Sequence, residues 1–229
     1  MKRLCIVLFC LALVVPQLSA QKKTTLKTQK EKVSYIIGTD IGKNLKKQSI
    51  DVNPELLFKG IKDVFTGEKF LLTDQEIQEV MTAFQQEMVA KQSEKMGKLA
   101  AENKKLGEAF LEANKKKDSV VTLPSGLQYK VIVEGTGKTP MLTDTVTTNY
   151  RGTLVDGTEF DNSYKRGEPA TFPVNGVIAG WTEALQHMKA GSKWKLYIPA
   201  NLAYGDRGAG QLIGPGAALI FDIELISVK

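Results

Sequence analysis

The spacing of apolar residues divides the chain into a helical first half and a strand-rich second half. From Val33 to about Lys47, apolar side chains recur with the period of a helix, which predicts a first amphipathic helix. A second short helix is predicted after Asn53-Pro54, because Asn caps helices and Pro is favoured at the first helical position. Gly67 ends its apolar face. Two such short helices bury little surface alone and need a partner.

A much longer helix is predicted next. Thr73-Asp74-Gln75-Glu76 has the pattern of a capping box, and strong helix formers follow without a proline until Pro124. The predicted helix runs from about Gln75 to about Lys117, roughly 65 Å at about 1.5 Å per residue. Its apolar stripe is firm only between Ile77 and Met88, so the remainder is interpreted as a solvated spacer.

The pattern changes to alternation at about Val120. Segments with strand character are separated by turn sequences such as Asp156-Gly157, and one short helix is predicted near Trp181. The predicted strands are 127–133, 143–154, 171–174, 193–198 and 218–228. Several strands with a single short helix indicate an α+β domain over 120–229, in which an antiparallel sheet wraps round the helix.

The first twenty residues have the composition of a secretory signal. A basic start is followed by a short apolar run and by Ala20 at the predicted cut, and the run is too short to span a bilayer as a helix. Residues 1–20 are therefore predicted to be removed, and the polar stretch 21–32 to be a flexible leader. An uncleaved anchor, or a lipid anchor at Cys10, is the alternative.

Composition excludes several classes of function. The chain carries a formal net charge of +6, but no aromatic residues interleave with a basic patch, so no nucleic-acid partner is expected. Cys5 and Cys10 both lie in the predicted signal, so the mature chain offers no disulfide, zinc site or thiol nucleophile. No metal and no cofactor are expected.

Four motifs in the second half of the chain occur in an order and at separations that together resemble a known family. Phe160-Asp161, Val177-Ile178-Ala179-Gly180-Trp181, Ala203-Tyr204-Gly205 and the final run 219–225 resemble the FKBP-type peptidyl-prolyl isomerases over roughly residues 120–229. Two short helices and a long one ahead of such a domain look like the two-domain secreted isomerases of the Mip and FkpA group. That resemblance implies a helical dimerisation domain over 33–119, and a homodimer formed through roughly residues 33–90.

The resemblance also implies a reaction and a site. The expected activity is isomerisation of X–Pro bonds in proline-containing unfolded or partly folded polypeptides. Trp181 would form the floor under the proline ring, and Ile213 would be an apolar lid residue. Tyr204 would offer its hydroxyl, the Ile178 N–H would donate to the substrate, and Asp161 would face the twisting carbonyl or orient Tyr150. The expected walls are Tyr150, Phe160, Val177, Ile178 and Phe221.

Each of these residues also has a plainer interpretation. Trp181 and the wall aromatics are ordinary residues for the core of a sheet, and Asp161 before Asn162-Ser163 suits a turn that bonds its own backbone. The resemblance also implies binding of the family's macrolide inhibitors, although some positions depart from the family pattern. The departures are Ala170, Gly176 and Ala209.

Two functions from different classes follow. The first is an exported enzyme, periplasmic or associated with the outer membrane, that accelerates proline isomerisation during the folding of exported proteins. The alternative is a dimeric chaperone that holds unfolded chains and uses the pocket mainly to bind proline. The two are compatible, since a dimer presents two pockets to one substrate chain.

Overall fold

The computed structural model describes residues 25–229, so the predicted signal peptide lies outside the described part. The chain forms two compact units, which meet in sequence between Thr73 and Asp74. Within the described residues, no helix combines the length and the apolar character needed to cross a membrane.

The first unit holds the two short helices predicted from the sequence, α1 (Gln29–Lys47) and α2 (Pro54–Thr66). Helix α1 begins a turn before Val33, because the Thr28 hydroxyl accepts from the Glu31 N–H and the Glu31 carboxylate accepts from the Thr28 N–H. Residues 29–32, which the sequence analysis assigned to the leader, are therefore helical. Helix α2 begins as predicted, with the Asn53 side chain accepting from two amides of its first turn.

The apolar side chains of this unit remain largely exposed. Helix α1 has no buried residue and α2 buries only Asp63. The side chain of Phe65 is 87% exposed, and other large apolar residues of both helices are exposed with it. The most exposed of these are Tyr35, Ile36, Ile37, Leu56, Phe58 and Val64.

The second unit begins with α3 (Asp74–Asn114), the long helix predicted from the sequence. With 41 residues it is about 62 Å long. It ends at Asn114 rather than near Lys117, because the chain turns over Lys115–Lys117 and Ser119 then takes a positive φ of 63°. Such a φ is uncommon for a residue with a side chain and breaks helical geometry.

A seven-stranded antiparallel sheet follows and confirms the predicted α+β class. The strands are β1 (Val120–Thr122), β2 (Gln128–Val133), β3 (Thr145–Leu154), β4 (Glu159–Asn162), β5 (Ala170–Pro173), β6 (Lys193–Ile198) and β7 (Leu219–Val228). Their order in the sheet is β1-β2-β6-β7-β3-β4, with β5 paired to β3. Strands β1 and β4, and the one-turn helix α4 (Ser163–Arg166), were not predicted.

One short helix, α5 (Ala179–Leu185), packs against the sheet and closes the core. Its buried residues belong to the same apolar cluster as Val146 of β3, Leu196 of β6 and Leu225 of β7. The approach is close, because a Cβ on Gly180 would lie 2.5 Å from Cγ2 of Ile198. Glycine at this position lets α5 lie low on the sheet.

The carboxyl-terminal part of α3 is joined to the sheet by a buried polar pair. The Asn114 Nδ2 donates to Oε1 of Gln128 at 2.9 Å, and the Gln128 Nε2 donates to the Leu111 carbonyl at 3.0 Å. Beside them, the rings of Phe110 and Tyr197 lie 5.9 Å apart. The Asn114 Oδ1 is buried without a hydrogen-bond partner among the described residues, so the contribution of this pair comes from the two bonds that the amide nitrogens donate.

We expect Asn114→Ala to lower the free energy of unfolding by about 1–3 kcal/mol, because Oε1 of Gln128 would stay buried without its donor. Alanine is the better helix former, so helix propensity does not account for a loss. Urea unfolding followed by Trp fluorescence measures the effect, with the exposed Lys105→Ala as control. Equal stability of the two variants would contradict the structural role assigned to this pair.

Candidate active site

An open cavity of about 600 Å³ lies between the start of α5 and the loop that joins β6 to β7. Each of the nine residues that the sequence analysis assigned to a site lines it, although they come from five separate segments. Phe172, Gly176, Ala209 and Gly210 complete the lining, and Ala170 does not take part. The nine are Tyr150, Phe160, Asp161, Val177, Ile178, Trp181, Tyr204, Ile213 and Phe221.

The indole of Trp181 forms the base of this cavity and is 4% exposed. Aromatic rings meet it edge-on, with centroids 5.1 Å away for Tyr150 and Phe221 and 5.5 Å for Phe172. Edge-to-face contacts suit the charge distribution of aromatic rings and hold each ring in one orientation. The cavity therefore has stiff aromatic walls. The Trp181 Nε1–H has no acceptor among the described residues.

Gly152 on β3 makes room for two of these rings. A Cβ there would lie 2.5 Å from the Phe160 ring and 2.8 Å from the Phe221 ring, which are themselves edge-to-face at 5.5 Å. Any larger residue would force the two rings to shift. The sequence analysis did not single out this glycine, because nothing local distinguishes it from others in strands.

The amide of Ile178 lies where the chain enters α5. The Ile178 carbonyl accepts from the N–H groups of Trp181 and Thr182, which anchors the first turn of the helix. Its own N–H makes no hydrogen bond within the described chain and remains available at the cavity wall. A donor in that position suits a carbonyl oxygen of a bound molecule.

A polar corner lies at one edge of the cavity. The Tyr150 hydroxyl donates to Oδ2 of Asp161 at 2.6 Å and accepts from Nη2 of Arg166 at 2.9 Å. The Arg166 guanidinium also pairs with Asp161 and lies 5.4 Å from the centre of the Tyr150 ring. Burial raises the pKa of the Tyr150 phenol, and the bond to Asp161 raises it further while Arg166 opposes both. The phenol therefore stays protonated and donates at neutral pH.

Arg166 was missed by the sequence analysis. The Asn162 side chain caps α4 by accepting from the Tyr164 and Lys165 amides, and this single turn brings Arg166 back to Asp161. The local signal was Asn at a cap position with Arg five residues after Asp161. A four-residue helix is too short to give a periodic pattern.

The loop between β6 and β7 forms the remaining rim. Ala209 and Ile213 form two backbone hydrogen bonds across it, with N···O distances of 2.8 and 3.2 Å. Ile213 also lines the cavity. The Tyr204 side chain is 41% exposed, and its hydroxyl has no hydrogen bond within residues 25–229. This hydroxyl is free to meet a bound polypeptide.

Two family models match the chain. A "domain amino terminal to FKBP-type peptidyl-prolyl isomerase" matches residues 30–131, and "FKBP-type peptidyl-prolyl cis-trans isomerase" matches residues 136–226. The chain belongs to the FKBP-type peptidyl-prolyl cis-trans isomerase family, and it is an enzyme that isomerises X–Pro bonds.

Named relatives agree over most of their length. The outer membrane protein MIP of Legionella longbeachae is 54% identical over 212 residues, 93% of this chain and 91% of that protein. The peptidyl-prolyl cis-trans isomerase Mip of Coxiella burnetii is 44% identical over 100% of this chain and 99% of its own. The crystal structure of FkpA from Escherichia coli matches with a TM-score of 0.73 at 42% identity, covering 90% of this chain and 99% of that chain.

We expect the Glu159 carboxyl, beside the polar corner, to titrate with a pKa of about 2. Its usual value is lowered first by Lys165 and then by Arg151, whose side-chain nitrogens each lie 2.7 Å from its oxygens. A folded pKa below the unfolded one means that these ion pairs stabilise the protein above about pH 4.5 and lose that effect toward pH 2. Carboxyl NMR measures the titration directly.

Two variants test this expectation. Lys165→Ala should raise the pKa of Glu159, and Glu159→Gln should be less stable than the unmodified chain near neutral pH but equally stable near pH 2. A Glu159 carboxyl that titrates at the ordinary value in the unmodified chain would contradict the ion pairing.

Proposed function

We propose that X–Pro isomerisation takes place in the aromatic cavity, with the proline ring resting on the indole of Trp181. The observation that carries this proposal is the composition of the cavity: aromatic and aliphatic walls with one polar corner. Tyr150, Phe160, Val177 and Phe221 surround the ring, and Ile213 covers it from the loop. A pyrrolidine ring is small and apolar, which is what such walls bind.

The chemistry requires a selective environment rather than a reactive group. The barrier to rotation, about 18–20 kcal/mol, comes from lost amide resonance, and a twisted amide has a less polar carbonyl than a planar one. An apolar cavity disfavours the more polar planar form, so it binds the twisted form better and lowers the barrier. No covalent bond has to form or break.

The polar groups at the edge of the cavity have complementary roles. The Ile178 N–H donates to the substrate carbonyl after the proline, and the Tyr204 hydroxyl binds the polypeptide at the rim. Asp161 orients Tyr150, a role supported by the 2.6 Å bond between them and by the second bond that Arg166 makes to the same hydroxyl. This favours orientation of Tyr150 over direct contact between Asp161 and the twisting carbonyl.

The substrates are proline-containing segments of unfolded or partly folded exported proteins. Export is supported by the signal-like first twenty residues and by the printed name of the Legionella longbeachae relative, an outer membrane protein. Residence in the periplasm or at the outer membrane belongs to this proposal. Macrolide inhibitors of the family would occupy the same cavity, where Gly176 and Ala209 leave smaller walls than the family pattern.

Asp161→Ala should reduce kcat/KM by about tenfold or more, because it frees the Tyr150 hydroxyl and leaves Arg166 without its carboxylate. Tyr204→Phe should reduce it by about two- to tenfold, the effect of one hydrogen bond. The assay is cis-to-trans relaxation of a short X–Pro peptide with the chain from Gln21. Glu168→Ala, an exposed carboxylate outside the cavity, is the control. Unchanged rates in both variants would rule out this site.

We further propose that the chain is a homodimer formed through its helical region, roughly residues 33–90. The support is the apolar surface of α1 and α2, where the side chains of Phe58, Val64 and Phe65 are mostly exposed on the single chain. Contiguous apolar surface of this kind marks an interaction site in a soluble protein. A second copy, which carries the same surface, covers it with the same residues.

Light scattering of the chain from Gln21 at micromolar concentration should give twice the mass of one chain. Phe65→Glu should shift the mass toward the monomer, because a charge would then lie in the apolar contact. Lys62→Glu, on the same helix, changes charge without removing an apolar group and serves as control. A monomer mass for the unmodified chain would end the proposal, and an unaffected Phe65→Glu dimer would exclude α2 from the contact.

A further inference from the structure

The loop that carries the cavity rim lies against one face of α3. On that face Ala100, Asn103, Lys104 and Gly107 have the spacing that brings helical side chains to one side. This part of α3 approaches residues 206–218, the segment that leaves the cavity and leads into β7. The helix thus contacts the back of a loop whose front lines the cavity.

The contact includes polar bonds at both ends of the loop. Near its end, Nδ2 of Asn103 donates to the Pro215 carbonyl at 2.9 Å. Near its start, Nζ of Lys104 lies 2.7 Å from the Asp206 carboxylate, although both side chains are substantially exposed and this pair adds little. Asn is a poor helix former, so its place within a long helix is unfavourable unless the side chain bonds elsewhere. Here it does, to the loop.

Backbone proximity makes the contact tight. A Cβ on Gly216 would lie 2.5 Å from the Ala100 carbonyl oxygen, and one on Gly107 would lie 2.9 Å from Cβ of Ala218. A Cβ on Gly214 would lie 2.9 Å from Nδ2 of Asn103. The small residues Gly107, Gly214 and Gly216 therefore allow the backbones of the helix and the loop to approach closely.

The loop transmits this position to the cavity over a short distance. The Gly216 N–H donates to the Gly205 carbonyl at 2.8 Å, which closes the base of the loop directly beside Tyr204. Ile213, two residues before Pro215, is fixed by its pairing with Ala209 and lines the cavity. Holding the Pro215 carbonyl therefore restrains Ile213, two residues earlier, and the Gly216–Gly205 hydrogen bond beside Tyr204.

We propose that Asn103 is a positioning residue for the isomerase. The bond from Asn103 to the Pro215 carbonyl attaches loop 205–216 to α3. This attachment keeps Ile213 and Tyr204 in position at the cavity rim. The proposal rests on the assignment of the cavity as the active site. A rim fixed in advance lowers the cost of ordering it around substrate, so the role of Asn103 is expressed in KM more than in kcat.

The test is a double-mutant cycle on the full chain. Asn103→Ala removes the bond, and Gly214→Ala displaces Nδ2 of Asn103 from the Pro215 carbonyl by placing a methyl group against it. Each single variant should raise KM about two- to tenfold with kcat nearly unchanged, and the double variant should be no worse than Asn103→Ala alone. Glu102→Ala, exposed on the same helix, is the control and should match the unmodified chain.

Amide hydrogen exchange supplies a second readout. The Gly216 N–H and the Ala209 and Ile213 amides should exchange faster in Asn103→Ala, while amides of the β3–β7 ladder keep their protection. A variant that merely weakened the whole fold would speed exchange throughout. Unchanged exchange in the loop, an unchanged KM, or additive effects of the two substitutions would each overturn the proposal.

Ile213→Ala, assayed in parallel, separates this proposal from the one on which it rests. If Ile213→Ala leaves KM unchanged, the assignment of the rim to substrate binding fails, and the role of Asn103 fails with it. If Ile213→Ala raises KM while Asn103→Ala does not, the cavity assignment stands and only the support by α3 is overturned.

Discussion

The low approach of α5 to the sheet is the constraint on which the site depends. At Gly180 the helix passes so close to Ile198 that no Cβ fits between them. This short distance between α5 and the sheet places the adjacent Trp181 within contact of the sheet aromatics. The rings of Tyr150, Phe172 and Phe221 make edge-to-face contacts with its indole. A higher helix would lift the indole away from these rings, and the cavity would lose its base. The glycine at position 180 thus affects both the packing of the core and the shape of the cavity.

Gly152 performs a related task from the other side of the cavity. It leaves space behind Phe160 and Phe221, whose rings can then stand against each other without closing the opening. The absence of a side chain at two positions therefore affects how five aromatic side chains are arranged. Protein interiors are packed as densely as organic crystals, so one added methyl group at either position would displace the neighbouring side chains of this cluster.

Local pattern was sufficient to predict helices α1, α2, α3 and α5, the longer strands and the α+β class, because each has enough residues to display its period. Strands β1 and β4 have only a few residues and exist through pairing with β2 and β3, so no period identifies them. The nine site residues could be named because motifs kept their order along the chain. Arg166 and Asn103 could not, since their partners become visible only when α4 and α3 are folded. The start of α1 was placed late because the Thr28–Glu31 capping box precedes the apolar pattern.

The pairing of Asp161 with Arg166 also bears on which polypeptides the enzyme can accept. The two side chains carry opposite formal charges, so this pair adds no net charge to the edge of the cavity. On the proposed mode of binding, the main attraction is the burial of an apolar ring, which does not depend on charges that salt can screen. Affinity should therefore depend little on ionic strength or on whether the substrate is acidic or basic.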